Sequence, residues 1–286
     1  MNPRPDTQFA RRYAQLRRPV PLLSRRGVWI VVRNLGLNVI GRLLPAGTKP
    51  FVRCLYLHYA YDDQTAELRR LLAHLLGLGS FISTPHLVDI LTGRRPLDGR
   101  YFHLSIDDAF DNIYRNAFPM LRELEIPAIV FVPTRLVEMP DEEFLTYWWV
   151  TYLKLPTRLM TWREIREMSE AGFEFGSHTE THVRLPTIAG DRARLERELR
   201  RSKQTLEDRL GRPCRYFAPP FGKNGDVNEP VQAAIREAGY EASFSAVRGG
   251  LRPGVTSPYF IPRQHFEPDW PWPHVRYFAL GGGEER

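Results

Sequence analysis

From Phe51 onward the chain alternates short apolar runs with stretches whose apolar residues recur at helical spacing. This is the pattern of βα repeats around a parallel sheet. Residues 52–60 (VRCLYLHYA) predict a buried strand ending at His58, and residues 62–76 a helix. A short strand over 81–84 and a helical turn over 86–91 follow, then a strand over 101–107 whose apolar run stops at two adjacent carboxylates. Residues 110–124 predict a helix, 127–132 a buried strand, and 161–171 a helix opened by a capping box between Thr161 and Glu164. Strands are expected over 173–178, 215–221, 240–247 and 259–265, and helices over 191–210 and 231–238. The pattern implies one α/β domain over residues 51–280, preceded by an arm over 1–50, with a disordered tail over 281–286.

Two stretches depart from the alternation. Residues 133–160 carry LTYWWVTYLK, with Tyr147, Trp148 and Trp149 together, and read as an insertion at a strand end. Such aromatics either stack on sugar faces or close a small hydrophobic contact of their own. The arm is strongly basic: residues 1–53 hold eleven Arg or Lys against one acid, Asp6. That is +10 in a chain whose net charge is +7, which leaves the remainder at −3. Within the arm, residues 27–44 are apolar, but Arg33 and Arg42 interrupt them, so they fall short of the ~20 apolar residues of a spanning helix. No small-residue cleavage site follows a compact apolar run. The segment suits either an anionic membrane surface or a helix packed on the domain with its arginines in water. It lacks the interleaved aromatics or module of a nucleic-acid binder, so no nucleic-acid partner is expected. Cys54 and Cys214 sit in apolar runs and imply core positions rather than a disulfide framework or thiolate cluster. The expected compartment is the cytoplasm, with membrane-surface association through the arm, or an extracytoplasmic location, as alternatives.

The candidate chemistry lies at strand ends. Asp107 and Asp108 close one strand, His178 and His182 (SHTETH) follow another, and His58 ends the first. Parallel strands converge at their C-terminal ends, where α/β folds place their sites. Two imidazoles and one carboxylate leave a divalent metal with open positions, the arrangement of a catalytic zinc site. The zincin pattern is excluded because Glu180 is not adjacent to the first histidine. A two-carboxylate glycosidase fits poorly, since neighbouring aspartates cannot readily flank a bond at the ~5 Å or more that mechanism needs.

SIDDAF (105–110) resembles the TFDDG motif of the polysaccharide deacetylases, the NodB-like carbohydrate esterases. GSHTETH (176–182) resembles their HSxxH or HTxxH motif, and RYFAPPFG (215–222) their FRPPYG segment, in the same order. The resemblance implies a distorted (β/α)7 barrel and a metal-dependent hydrolase that removes acetyl groups from N-acetylated sugars of a polysaccharide or its precursor. It further implies Asp107 as general base and Asp108, His178 and His182 as ligands of a divalent ion, most often Zn2+. Thr179 would hold the loop, and Phe217, Pro219 and Phe221 would lie on the third motif's loop, with the amide of Phe217 or a neighbour as oxyanion donor. LYLHYA also resembles the N-terminal motif of the exopolysaccharide deacetylase branch, in which a histidine at the place of His58 is the catalytic acid.

Two departures accompany the resemblance. Ala109 stands where the family has glycine, and Ala218 where other branches have an arginine that restrains the catalytic aspartate. Arg263 and His265 share a strand face by period-2 alternation, so Arg263 is expected to fill that place, with His265 as an auxiliary and the lesser candidate for the acid. The same scaffold would serve an O-acetyl esterase, a small-molecule amidase or a non-catalytic sugar-binding module.

Overall fold

The computed structural model describes residues 9–16, 24–152 and 157–283, without the side chains of 25–27 and 149–152. The end of the expected tail and the side chain of Trp149 lie outside them. Helix α1 (Arg25–Leu43) precedes β1 (Phe51–Leu57), α2 (Thr65–Leu76), β2 (Ser80–Phe81), α3 (Thr84–Leu91) and β3 (Arg100–Ile106). Then come α4 (Phe118–Glu123), β4 (Ala128–Val132), α5 (Thr134–Val137), α6 (Asp141–Tyr152), α7 (Trp162–Glu170) and β5 (Glu174–Ser177). The chain continues through α8 (Arg192–Leu210), β6 (Tyr216–Phe217), α9 (Glu229–Glu237), β7 (Ala242–Ser243), β8 (Gln264–His265) and α10 (Trp272–Ala279).

The strands pair in parallel in the order β7-β6-β5-β4-β3-β1-β8, with β2 beside the start of β3. The sheet curls far enough that the residues before β8 reach back to β7, through a parallel bridge between Phe244 and Ile261. The result is a distorted βα barrel. Period-2 alternation sorts its side chains. Val52, Cys54, Ile129 and Phe131 point inward with Ala242 and Phe244, where Leu87 and Leu91 of α3 join them. Leu55, Leu57, Val130 and Val132 face the outer helices. The same alternation turns the polar residues of β3 inward. His103, buried against Phe244 and bonded to Thr84, is pushed down to about 3 by its burial and then by the Arg263 charge.

The arm does not stand apart from the barrel. Asp63 accepts bonds from the backbone N–H groups of Tyr13 and Ala14, and Phe9 stacks on Phe144 of α6. Helix α1 lies on α10, but in an unusual orientation. Its protein-facing side carries Asn34 and Gly41, whose carbonyls accept bonds from His274 and Arg276. Val28, Trp29, Val32, Leu35, Val39 and Leu43 are exposed instead. No helix among the described residues is long and apolar enough to cross a membrane.

Close approach at Gly41 explains the docking, since a β-carbon there would run into the Pro273 carbonyl. Gly41→Ala is therefore expected to lift α1 from α10 at a cost of about 1–3 kcal/mol. Trypsin should then cut the arm's arginines faster while the barrel's unfolding midpoint changes little, which limited proteolysis beside thermal denaturation measures.

Candidate metal centre and active site

Four parallel strands deliver the chemistry to one rim of the barrel. Asp107 and Asp108 follow β3, His178 follows β5, His58 follows β1, and His265 ends β8. They line a cavity of about 380 Å³ with His182, Glu267, Tyr13, Tyr59, Trp148 and Phe221.

Asp108, His178 and His182 present three buried donor atoms within 4.8 Å of one another. The Nε2 atoms of His178 and His182 lie 3.4 and 3.0 Å from Asp108 Oδ1, which is buried and has no hydrogen-bond partner. His178 Nδ1 donates to the Ala218 carbonyl at 2.6 Å, so a neutral ring turns the lone pair of its Nε2 toward that oxygen. Burial holds His182 below its ordinary value despite Asp108, which favours the neutral, ligating form. Opposed lone pairs around an unsatisfied carboxylate oxygen are what a divalent cation would reconcile, and the residues fit one.

The histidine loop is held from two sides. Glu198 of α8 accepts bonds from the N–H groups of Glu180 and Thr181 and from the Thr181 hydroxyl, and Ser202 donates to the Thr179 carbonyl. From α6, the Tyr147 hydroxyl donates to the Thr181 carbonyl. The chain returning from α6 bonds to Ala109 and Asp111 on either side of Phe110, which pins the aspartate loop as well. These clamps sustain an uncommon backbone. Among the described residues six non-glycine residues have positive φ, and five are here: Asp108, Ala109, Thr179, His182 and Phe221. Such conformations cost about 1–3 kcal/mol each and persist where the surroundings over-determine them. At Ala109, the position expected to suit glycine, φ is +55°, so the turn does require the left-handed region.

Asp107 meets Arg263 in a buried bidentate pair, with Nη1 to Oδ1 at 2.7 Å and Nη2 to Oδ2 at 2.8 Å. The guanidinium also donates to Ser105 and to the Ser245 carbonyl and lies over the Tyr56 ring. Burial would raise the Asp107 carboxyl, but Arg263, then His178 and His58, hold it below its ordinary value. Across the cavity, Glu267 Oε1 accepts from His58 Nδ1 at 2.8 Å and from His265 Nε2 at 2.9 Å. Burial works against charge on His58, but Glu267 outweighs it, with Asp108 and Asp107 adding, and His58 is pushed up to about 9.

The remaining expected residues are placed as follows. Thr179 is fully buried and engages the loop through its backbone. Phe217 faces the outer layer against Tyr240, the Ala218 N–H is spent on the Ser177 carbonyl, and neither Phe217 nor Pro219 lines the cavity. Phe221, from the same turn, does line it, with its ring 5.5 Å from that of His182. Trp148 is not an exposed sugar platform: it is 5% exposed, packed with Phe110 and Phe144, and forms a wall. Glu267, Glu198 and Tyr59 were not singled out by sequence. For Glu267 a signal existed, since alternation from Arg263 through His265 reaches it.

The fold and site together define a parallel α/β barrel with a candidate carboxylate–imidazole metal centre at the C-terminal rim. The family model for polysaccharide deacetylases matches residues 94–243, just over half of the chain, and the chain belongs to that family. The poly-beta-1,6-N-acetyl-D-glucosamine N-deacetylase of Staphylococcus aureus is 27% identical over 167 residues, covering 56% of this chain and 52% of that protein. The chain thus spans about half the length of the curated relatives it matches. The structure of IcaB from Ammonifex degensii superposes with a TM-score of 0.64 at 26% identity, over 82% of this chain and 99% of that one. The Streptococcus pyogenes deacetylase PplD, in complex with acetate, gives 0.65 at 19% identity, over 81% and 99%, a likeness of fold.

Replacing Arg263 leaves the Asp107 charge buried without its partner, and loss of one member of such a pair costs about 3–5 kcal/mol. Arg263→Met should show that loss in urea denaturation at neutral pH. Because the Asp107 carboxyl is depressed in the native protein, the pair's contribution is complete above the unfolded value of about 3.9. It is lost as pH falls through the native value, so the difference from wild type should narrow in acid.

Proposed function

We propose that this chain is a metal-dependent deacetylase acting on N-acetylated sugars of a polysaccharide, with a poly-N-acetylglucosamine as the substrate class and Zn2+ as the ion. The observation that carries the reading is the Asp108 oxygen, unsatisfied and faced by the Nε2 atoms of His178 and His182, beside a carboxylate held by Arg263 and an imidazole held by Glu267. A divalent ion held by Asp108, His178 and His182 would polarise the acetyl carbonyl and acidify water. Asp107, anionic at neutral pH and oriented by Arg263, takes the proton of the attacking water. His58 carries a proton on the opposite wall and gives it to the departing amine nitrogen. Glu267 keeps that imidazole charged and turned. His265, on the same carboxylate oxygen, steadies Glu267. An amine needs a proton to leave, and a histidine held above its ordinary value suits that need better than it suits an ester's alcohol.

His178→Ala should lose both the tightly bound metal and acetate release from an N-acetylglucosamine oligomer. His58→Ala should keep the metal and lower kcat by about 10²–10⁴. Glu267→Gln removes the charge that raises His58, so the alkaline limb of the pH–rate profile should move to lower pH. Full turnover after exhaustive chelation, or a wild-type profile in His58→Ala, would sink the assignment.

We also propose that the arm seats the protein on an anionic membrane surface, from the cytoplasmic side. What supports this is the outward apolar stripe of α1 together with the +10 of residues 1–53, the composition of an interfacial helix. Each basic side chain near such a surface contributes about 1 kcal/mol. Vesicles with anionic lipid should co-sediment the protein and release it in high salt, and Val32→Ser with Leu35→Ser and Val39→Ser should weaken binding. Equal binding by the substituted protein, or equal binding to zwitterionic vesicles, would reject the idea.

A further inference from the structure

We propose that His58, Glu267 and His265 form a second divalent-cation site, weaker than the first, whose filling removes the acid and makes excess metal inhibitory. The inference rests on the deacetylase reading above.

Glu267 Oε1 already collects both imidazoles, at 2.8 and 2.9 Å, and one donor atom from each of the three residues lies within 4.8 Å of the others. Protons now occupy the place a cation would take. The second carboxylate oxygen, Oε2, is buried and has no hydrogen-bond partner, so a lone pair is free to complete a bidentate grip. The backbone brings the three together without strain. Tyr56 and His265 are register partners between β1 and β8, which sets His58 and Glu267, each two residues further on, side by side. The imidazole rings are 5.2 Å apart and nearly perpendicular, both next to Tyr56.

Two imidazole nitrogens and a carboxylate select Zn2+, Co2+, Ni2+ or Cu2+ over Mg2+ and Ca2+. The site is the weaker of the two because its histidine side chains are 27% and 29% exposed, against 3% and 8% in the first. It must also displace the hydrogens shared with Glu267, and the one on His58 Nδ1 passes to solvent as the ion binds. An ion on His58 Nδ1 replaces the proton that makes the ring an imidazolium. The Nε2–H that remains belongs to a ring no longer imidazolium and is a far weaker acid toward the amine, although the first site remains filled.

The test uses full-length protein loaded with one equivalent of Co2+ and titrated with further Co2+ or Zn2+. Bound metal is counted by equilibrium dialysis, Co2+ absorption reports the ligand field, and acetate release reports turnover. Wild type should take a second equivalent, and turnover should fall by about 10²-fold or more as it fills. Glu267→Gln and His265→Ala should keep the first equivalent and bind the second about 10–100-fold more weakly, with inhibition shifted by the same factor. His178→Ala should lose the tighter equivalent and keep the weaker. A wild-type stoichiometry of one, or a second equivalent that binds equally well in both Glu267→Gln and His265→Ala, overturns the proposal. Two-site binding with no acetate release at any metal level would instead count against the deacetylase reading and leave this site standing.

Discussion

The interaction on which the rest of the molecule depends is the buried pair between Arg263 and Asp107. One guanidinium touches β3 through Ser105 and Asp107, the stretch after β7 through the Ser245 carbonyl, and β1 through the Tyr56 ring. It therefore ties the two ends of the curled sheet across the barrel's interior. The pair adds little net stability over an apolar filling, because desolvating both ions offsets their attraction. What it fixes is a charge: Asp107 remains a carboxylate at the cavity wall with both oxygens held in place. A second consequence lies below it, where His103 stays neutral because burial and the same cation both oppose a further positive charge.

Above the pair, Asp108, His178 and His182 ride on loops that the backbone alone would not favour. Left-handed conformations at Asp108, Ala109, Thr179 and His182 are sustained by contacts from α8, from α6 and from the chain returning after α6. The aromatic segment is thus a structural wall whose hydroxyl and returning backbone hold the ligands in position. Strain of this kind, distributed over four positions and countered by the bonds from α8 and α6, makes for a stiff site rather than an adaptable one.

Much of this was legible in the sequence, and the reasons for the exceptions are physical. Strand ends with paired acids and spaced histidines foretold that Asp108, His178 and His182 would meet, and period-2 alternation put Arg263 on the inward face. Thr161 and Glu164 form the capping box read from their spacing. The late strands came out shorter than the apolar runs suggested, β7 and β8 having two residues each. There the chain crosses from one edge to the other and its bonds are irregular, as in Ser243 N–H to the Pro258 carbonyl. Helix α10 was missed because prolines at its start hide a helical period of only eight residues. Glu198 was invisible among the charges of α8, since nothing in a polar helix marks which acid faces inward. The outward apolar face of α1 inverts the usual rule: periodicity reveals that a helix has an apolar side, but not what that side meets.

The position of Arg263, His265 and Glu267 along the chain has a consequence in time. Glu267 is 209 residues from the histidine it holds, and Arg263 is 156 from its aspartate. Asp108, His178, His182 and most of the barrel wall are synthesised before any of the three. Non-local contacts of this span are the slow ones to form, and a vectorially made chain gains them last. On the ribosome, then, the chain passes through a stage in which Asp108, His178 and His182 are made but Asp107 lacks Arg263 and His58 lacks Glu267. Both pairings wait for the final strand to close the sheet.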